Sequence, residues 1–588
     1  MKRIAVRALA WIGGVTVLGV GGLIILVLLM RGGEDVPERT VLTVDFERQT
    51  AESVPEDPFA RLAGSRALVV RDVVEALERA SGDDRVVGLL ARVGATRMGL
   101  AQIQEIRDAV LAFRRSGKPA VAHAETFGEL GAGNGGYYLA SAFGKIYLQP
   151  SGDIGLTGLV YEHPFLKGTL DKLGIVPRLD HRKDYKNAMN LFTEEAYTEA
   201  HLEATEAVMR SQFGQMVRGI ARSLETSEEE VMAVVDRAPV LGTEAVDARL
   251  VDGLAYRDEV YEEMKAGVGE GVKFVEISDY LERAGRPHTE GARIALIYGV
   301  GAVVRGKSGY DPAMGEQAMG SDTVAGAFRA AVKDRGVKAI LFRVDSPGGS
   351  YVASDAIWRA TIKAREAGKP VIVSMGNVAG SGGYFVAMHA DKIVAQPGTI
   401  TGSIGVLGGK MLTSVFWEKM GITWDEVHAG ENATMWTGIR DYTPAQWARF
   451  QAWLDRVYED FTGKVAEGRH LSREQALAVA KGRIWTGEDA LALGLVDELG
   501  GFPTALRLAR EAIGAPEDAP VEIKLFPKRK SLLELILERG RQGMTGETAL
   551  LTRALEVLRP ALRLARAVGM GPQRGALAMP EVGEGNAK

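Results

Sequence analysis

Hydrophobic positions along this chain fall into two alternating rhythms. Val86–Val93 and Val337–Val344 are nearly unbroken apolar runs, short enough to be strands and dense enough to be buried on both faces. Each leads into a stretch with helical spacing of apolar residues, then Gly-Lys-Pro, at Gly117–Pro119 and again at Gly368–Pro370. A further apolar run, Val371–Met375 in the later stretch, ends in a Gly-rich turn that opens a helix. Upstream, Val41–Phe46 and Ile294–Val300 have the character of first strands. Recurrent strand-turn-helix units of this kind predict an α/β protein with parallel sheet.

The two stretches are copies of one another. Residues 135–175 align without gaps on residues 382–422, at an offset of 247, with 13 identities in 41 positions. The pairs include Tyr137/Tyr384, Lys145/Lys392, Pro150/Pro397 and Gly155/Gly402. The Gly-Lys-Pro triplets align at an offset of 251, so the first copy carries four extra residues between the two blocks. The repeat predicts domains over 40–285 and 290–515, joined through Glu270–Thr289. Beyond Pro527, Ser531–Arg541 and Leu550–Val568 have amphipathic helical spacing, so 527–588 is expected to be a helical tail, to which no role is assigned.

One segment breaks the rhythm. Ala8–Met30 is a run of 23 residues without a charge, preceded by Lys2, Arg3 and Arg7 in a basic segment 1–7 and followed by Glu34 and Asp35. A helix of that length spans a bilayer. Val27–Arg31 offers no small-x-small cleavage site, so the segment is expected to stay as a single-pass anchor. The positive-inside rule then leaves the amino end in the cytoplasm and everything after it on the far side.

Charge and composition narrow the chemistry. With 71 Lys+Arg against 76 Asp+Glu the chain lacks the basic excess that binding nucleic acid demands, and none is expected as a partner. There is no cysteine, which removes disulfides, thiol nucleophiles and thiolate metal sites. In the second copy one strand runs into Asp345-Ser346-Pro347-Gly348-Gly349 and the next into Gly380-Ser381-Gly382-Gly383. A serine between glycines at a strand-to-helix turn exposes its hydroxyl beside the backbone N–H groups of the helix start, which makes Ser381 the natural nucleophile. The N–H of Gly382, with that of Gly348 or Gly349, is the candidate oxyanion hole. None of the eight histidines lies in a partner motif, and His389, eight residues past Ser381 on the predicted helix, is carried about 12 Å away. Lysine is the remaining base, provided that burial or a positive neighbour lowers its pKa. The repeat sorts the lysines. The first copy has Asn134 at the place of Ser381, while its Lys186 falls on Ala433 of the second, so one half holds a nucleophile without a base and the other a possible base without a nucleophile. Lys183 stands in reserve, and Ser403, in Thr401-Gly402-Ser403-Ile404-Gly405, is a possible auxiliary hydroxyl.

The Ser346–Gly349 loop, Ser381-Gly382-Gly383-Tyr384, Thr401–Val406 and Tyr185-Lys186 together resemble the signal peptide peptidase A (protease IV) family in its long form, over the chain from the anchor to about residue 515. That resemblance implies tandem ClpP/crotonase-like domains behind one N-terminal transmembrane helix, a Ser381/Lys186 dyad, and no metal or organic cofactor. It implies a bacterial inner-membrane protease with its catalytic domains in the periplasm. Signal-peptide remnants and other short apolar unfolded segments are the implied substrates, and a homo-oligomer, a tetramer, the implied assembly. The family's lysine motif continues with Ser-Ala, whereas this chain has Asn187-Ala188. The competing readings are a crotonase-type acyl-CoA enzyme, which needs no serine nucleophile, and a non-catalytic membrane scaffold.

Overall fold

A computed structural model describes residues 35–53, 67–311, 316–528 and 577–578. The expected anchor, 8–30, and the two expected tail helices lie outside the described residues. Among the described residues no helix is long and apolar enough to cross a membrane.

Two parallel sheets dominate, and they share one strand order. In the first half the order is Gly253–Leu254, Lys145–Leu148, Ala120–Ala124, Val86–Arg92, Thr40–Asp45, Lys273–Glu276. In the second it is Glu498–Leu499, Lys392–Ala395, Val371–Gly380, Val337–Ser346, Ala292–Val300, Val521–Phe526. The edge strand Val521–Phe526 runs past residue 515, where the repeat had been expected to end. Central strands are buried on both faces, which is why Val337–Val344 reads as an apolar run without alternation. Helices cover both sides. Phe502–Ala512 packs Leu506 and Leu508 on the outer face of the second sheet, and Val70–Ser81 buries Val73, Val74 and Leu77 within the first.

The two sheets differ at one strand. Ala120–Ala124 stops after five residues, whereas its counterpart Val371–Gly380 continues for ten and ends at Ser381. The extension pairs with Ile400–Gly402, which pairs in turn with Ile484–Thr486. The helix expected to carry His389 is short, Gly382–Phe385, and His389 is a buried residue accepting a hydrogen bond from the indole N–H of Trp358 at 3.0 Å.

The halves are locked together by charge. Arg343, on the second half's central strand, donates to Glu52 at 2.9 Å and to Glu105 at 2.7 Å, both from the first half, and to Ser374 at 2.8 Å. Glu105 also accepts the backbone N–H of Phe502, the first residue of its helix, at 2.6 Å. Burial pushes the Glu105 carboxyl up while Arg343 pulls it down. A buried ion pair contributes little over an apolar equivalent, but breaking one strands a charge. Glu105→Ala is therefore expected to cost about 3–4 kcal/mol, read as a lower urea midpoint; a change below about 1 kcal/mol would show that Glu52 alone neutralises Arg343.

Candidate active site

Ser381 sits where the extended strand meets its helix, with φ 54° and ψ −114°. A non-glycine residue rarely adopts that conformation, and here the flanking Gly380 and Gly382 let the chain turn through it. Its N–H donates to the Gly402 carbonyl at 2.8 Å, and the side chain is fully buried. Nothing larger than glycine fits beside it. A β-carbon on Gly382 would lie 2.7 Å from Ser354 Oγ and 3.0 Å from Gly349 N, and one on Gly383 would lie 2.4 Å from the Ser346 carbonyl oxygen.

Lys186 arrives from the other half. The strand Val176–His181 pairs antiparallel with Leu407–Leu412 of the second half, residue for residue from Val176 opposite Leu412 to His181 opposite Leu407. Arg182 N–H then donates to the Val406 carbonyl and Tyr185 N–H to that of Lys481, which ratchets the following residues along the second half's surface. Gly482 clears the last step, since a β-carbon there would lie 2.6 Å from the Lys186 backbone N. The ammonium end reaches 2.8 Å from Ser381 Oγ, within the same chain, and 2.9 Å from both the carbonyl oxygen and the hydroxyl of Ser403.

These three contacts suit an amine. A neutral lysine has two N–H donors and one lone pair: the donors fit the two Ser403 oxygens, and the lone pair accepts the Ser381 hydroxyl. Lys186 is wholly buried with no carboxylate beside it, and burial lowers its pKa from 10.5 to about 7. Ser403 is itself in the left-handed region, φ 51°, with its N–H held by the Arg483 carbonyl at 2.7 Å. Lys183, the reserve base, lies instead over the ring of Tyr458, 5.9 Å from its centroid.

Of the two candidate loop glycines, Gly348 gives its N–H to Ser346 Oγ at 3.2 Å. Gly349 lies in parallel register with Val303 and antiparallel to Leu577 of the chain's own carboxyl-terminal segment, with Gly348 opposite Ala578. This two-residue strand was not legible in the sequence, where the tail reads as helix.

The first half shows what the same turn becomes without a serine. Asn134 closes on Gly158, donating to its carbonyl at 2.7 Å and accepting its N–H at 3.1 Å. A side chain that bridges its own loop in this way has no hydrogen left for a substrate.

The model of peptidase family S49 matches residues 112–270 and 363–515, one stretch in each half. "Protease 4" of Salmonella typhi is 31% identical over 505 residues, covering 83% of this chain and 78% of that protein. The chain belongs to peptidase family S49. "Protease 4" of Haemophilus influenzae is 30% identical over 515 residues, covering 83% of this chain and 81% of the relative. A chloroplastic serine protease SPPA from Arabidopsis thaliana is 29% identical over 488 residues, covering 82% and 71%. The S49 chain is thus a serine protease of the signal peptide peptidase A (protease IV) type, and peptides are its substrates.

Proposed function

We propose that this S49 protease cleaves peptide bonds with Ser381 as nucleophile and Lys186 as general base, in two tandem ClpP/crotonase-like domains that each supply one of the pair. The observation that carries this reading is the 2.8 Å contact between the Lys186 amine and Ser381 Oγ in a pocket without a competing charge. Neutral Lys186 takes the hydroxyl proton as Ser381 attacks the carbonyl, then returns it to the leaving amine. Gly382 and Gly349 supply the N–H groups for the oxyanion, Gly348 being engaged with Ser346. Water, deprotonated by the same lysine, releases the acyl group. Ser403 fixes the amine and accepts no proton itself.

The substrates on this reading are extended, apolar and unfolded, signal-peptide remnants among them. Two features support it. The Gly348–Gly349 edge accepts an extended chain in antiparallel register, as it does Leu577–Ala578. The segment following Leu407–Leu412 leaves Met420, Ile422, Trp424 and Val427 exposed to solvent beside the site's entry strand. The uncharged run 8–30 supports a single-pass anchor in the bacterial inner membrane with the domains on the periplasmic side, and the protease is proposed to work as a homo-oligomer, a tetramer.

Cleavage of a fluorogenic apolar peptide across pH tests the mechanism. Only neutral Lys186 can accept a proton, so kcat/KM is expected to fall tenfold per unit below a pKa near 7, to level off above it, and to vanish in Ser381→Ala. Asp345, whose carboxyl is pushed up by burial and by the charge of Glu52, is a second candidate for that limb. Asp345→Asn is expected to keep the limb. Turnover by Ser381→Ala, or a limb that moves with Asp345, would refute the dyad.

A further inference from the structure

The contact between the halves uses one flank of the first and one face of the second. The flank carries Glu52, at the end of the short strand Thr50–Ala51, and Glu105 and Asp108 on the helix Leu100–Arg114. The face is centred on Arg343. Because the halves repeat one another, each possesses both surfaces, and one flank and one face are left over: the flank of the second half and the face of the first.

Strand register identifies the residues on these outer surfaces. Thr50–Ala51 pairs with Leu68–Val69 as Val303–Val304 pairs with Met319–Gly320, which puts Arg305 where Glu52 stands. The helix Tyr351–Glu366 matches Leu100–Arg114 and puts Arg359 where Asp108 stands. Asp45 lies opposite Arg92 as Tyr298 lies opposite Arg343, so Arg92 is the counterpart of Arg343.

The sign of the charge is reversed on both. Arg343 has no acid of its own half beside it: the counterparts of Asp45, Glu47 and Glu125 are Tyr298, Val300 and Gly376, and the first half provides its carboxylates. Arg92 is already surrounded, by Asp45 at 3.2 Å, Glu47 at 2.6 Å and Glu125 at 2.9 Å. Three carboxylates on one guanidinium leave the face negative, and burial, with Glu125 and Asp45 as neighbours, pushes the Glu47 carboxyl up. Beside them lies an open cavity of about 160 Å³ lined by Asp45, Arg92, His123, Arg257, Tyr261 and Glu276. On the remaining flank Arg305 and Arg359 are exposed.

We propose that this negative face of one chain is the docking site for the Arg305/Arg359 flank of a second copy, so that chains join head to tail. The proposal rests on the self-assembly put forward above and names its contact. The inversion gives order as well as attraction. An acidic flank of a first half would meet an acidic face on another first half and be repelled, so the halves must alternate along the assembly. A head-to-tail contact of this kind closes into a ring when its rotation permits.

The chain has no cysteine, which makes the test clean. Full-length Arg305→Cys is mixed with full-length Asp45→Cys and treated with a short bis-maleimide. A product of twice the chain mass is expected in the mixture and in neither variant alone. In sedimentation, Arg305→Glu is expected to weaken assembly at least tenfold, and Arg305→Glu combined with Asp45→Lys to recover it. Wild-type chain that sediments as a monomer at micromolar concentration would overturn both the self-assembly and this contact. Assembly that is intact in Arg305→Glu, with no cross-link in the mixture, would overturn the contact alone.

Discussion

Lys186→Met should give a protein that melts higher and hydrolyses peptides at least about 10³-fold more slowly, the scale seen when one member of a catalytic unit is removed. The two effects share a cause. The folded pKa of about 7 lies below the 10.5 of an exposed lysine, so folding works against the charged form. Between those values the unfolded chain binds the extra proton, and stability therefore rises with pH across that window; below pH 7 the whole cost is present. At about 1.4 kcal/mol per unit the cost is a few kcal/mol, offset by the partners that Ser381 and Ser403 lose, leaving a net gain of about 1–3 kcal/mol for methionine at neutral pH. Calorimetry from pH 7 to 10 should show the advantage of the variant shrinking steadily. An advantage that stays flat, or a variant less stable than wild type at pH 7, would mean that Lys186 is held charged, and so cannot be the base.

Gly349→Ala is expected to lower kcat about 10²–10³-fold while leaving KM within a factor of a few, as removal of one oxyanion donor does. The backbone there has φ 154°, and a β-carbon would lie 2.2 Å from the Val303 carbonyl oxygen and 2.8 Å from its N. Both are main-chain atoms of a paired strand and cannot swing aside, so the strand carrying the Gly349 N–H must shift instead. Steady-state kinetics on the same peptide, with a melting curve to confirm folding, separates the outcomes. A loss confined to KM would place Gly349 in substrate binding rather than in charge stabilisation.

The sequence made the α/β class, the duplication and the Ser381 turn legible because each leaves a local trace: buried runs, Gly-Lys-Pro repeats, a serine among glycines. Lys186 was found by subtraction, since nothing around Tyr185-Lys186 marks a base until the two copies are laid side by side. What delivers it was out of reach. The pairing of Val176–His181 with Leu407–Leu412 joins segments more than 200 residues apart, and neither alternates clearly, because only parts of each are covered. Glu52, Glu105 and Arg343 were missed for a similar reason: a charge inside a helix or strand reads as a solvated face unless its partner in the other half is known. The expected helix through His389 stops at Phe385, where the chain turns toward the strand Lys392–Ala395.

That cross-half strand pairing also governs when the protease can become dangerous to its own cell. Residues 176–186 are made early and Ser381 much later, and the two groups meet only once Leu407–Leu412 has been synthesised, folded and joined to its partner. On the dyad reading a nascent, half-translocated or partly unfolded chain carries a serine without its base or a lysine without its serine, and is silent toward neighbouring polypeptides. Latency is then a property of folding order, lifted at the moment the last long-range contact forms and restored whenever the halves separate.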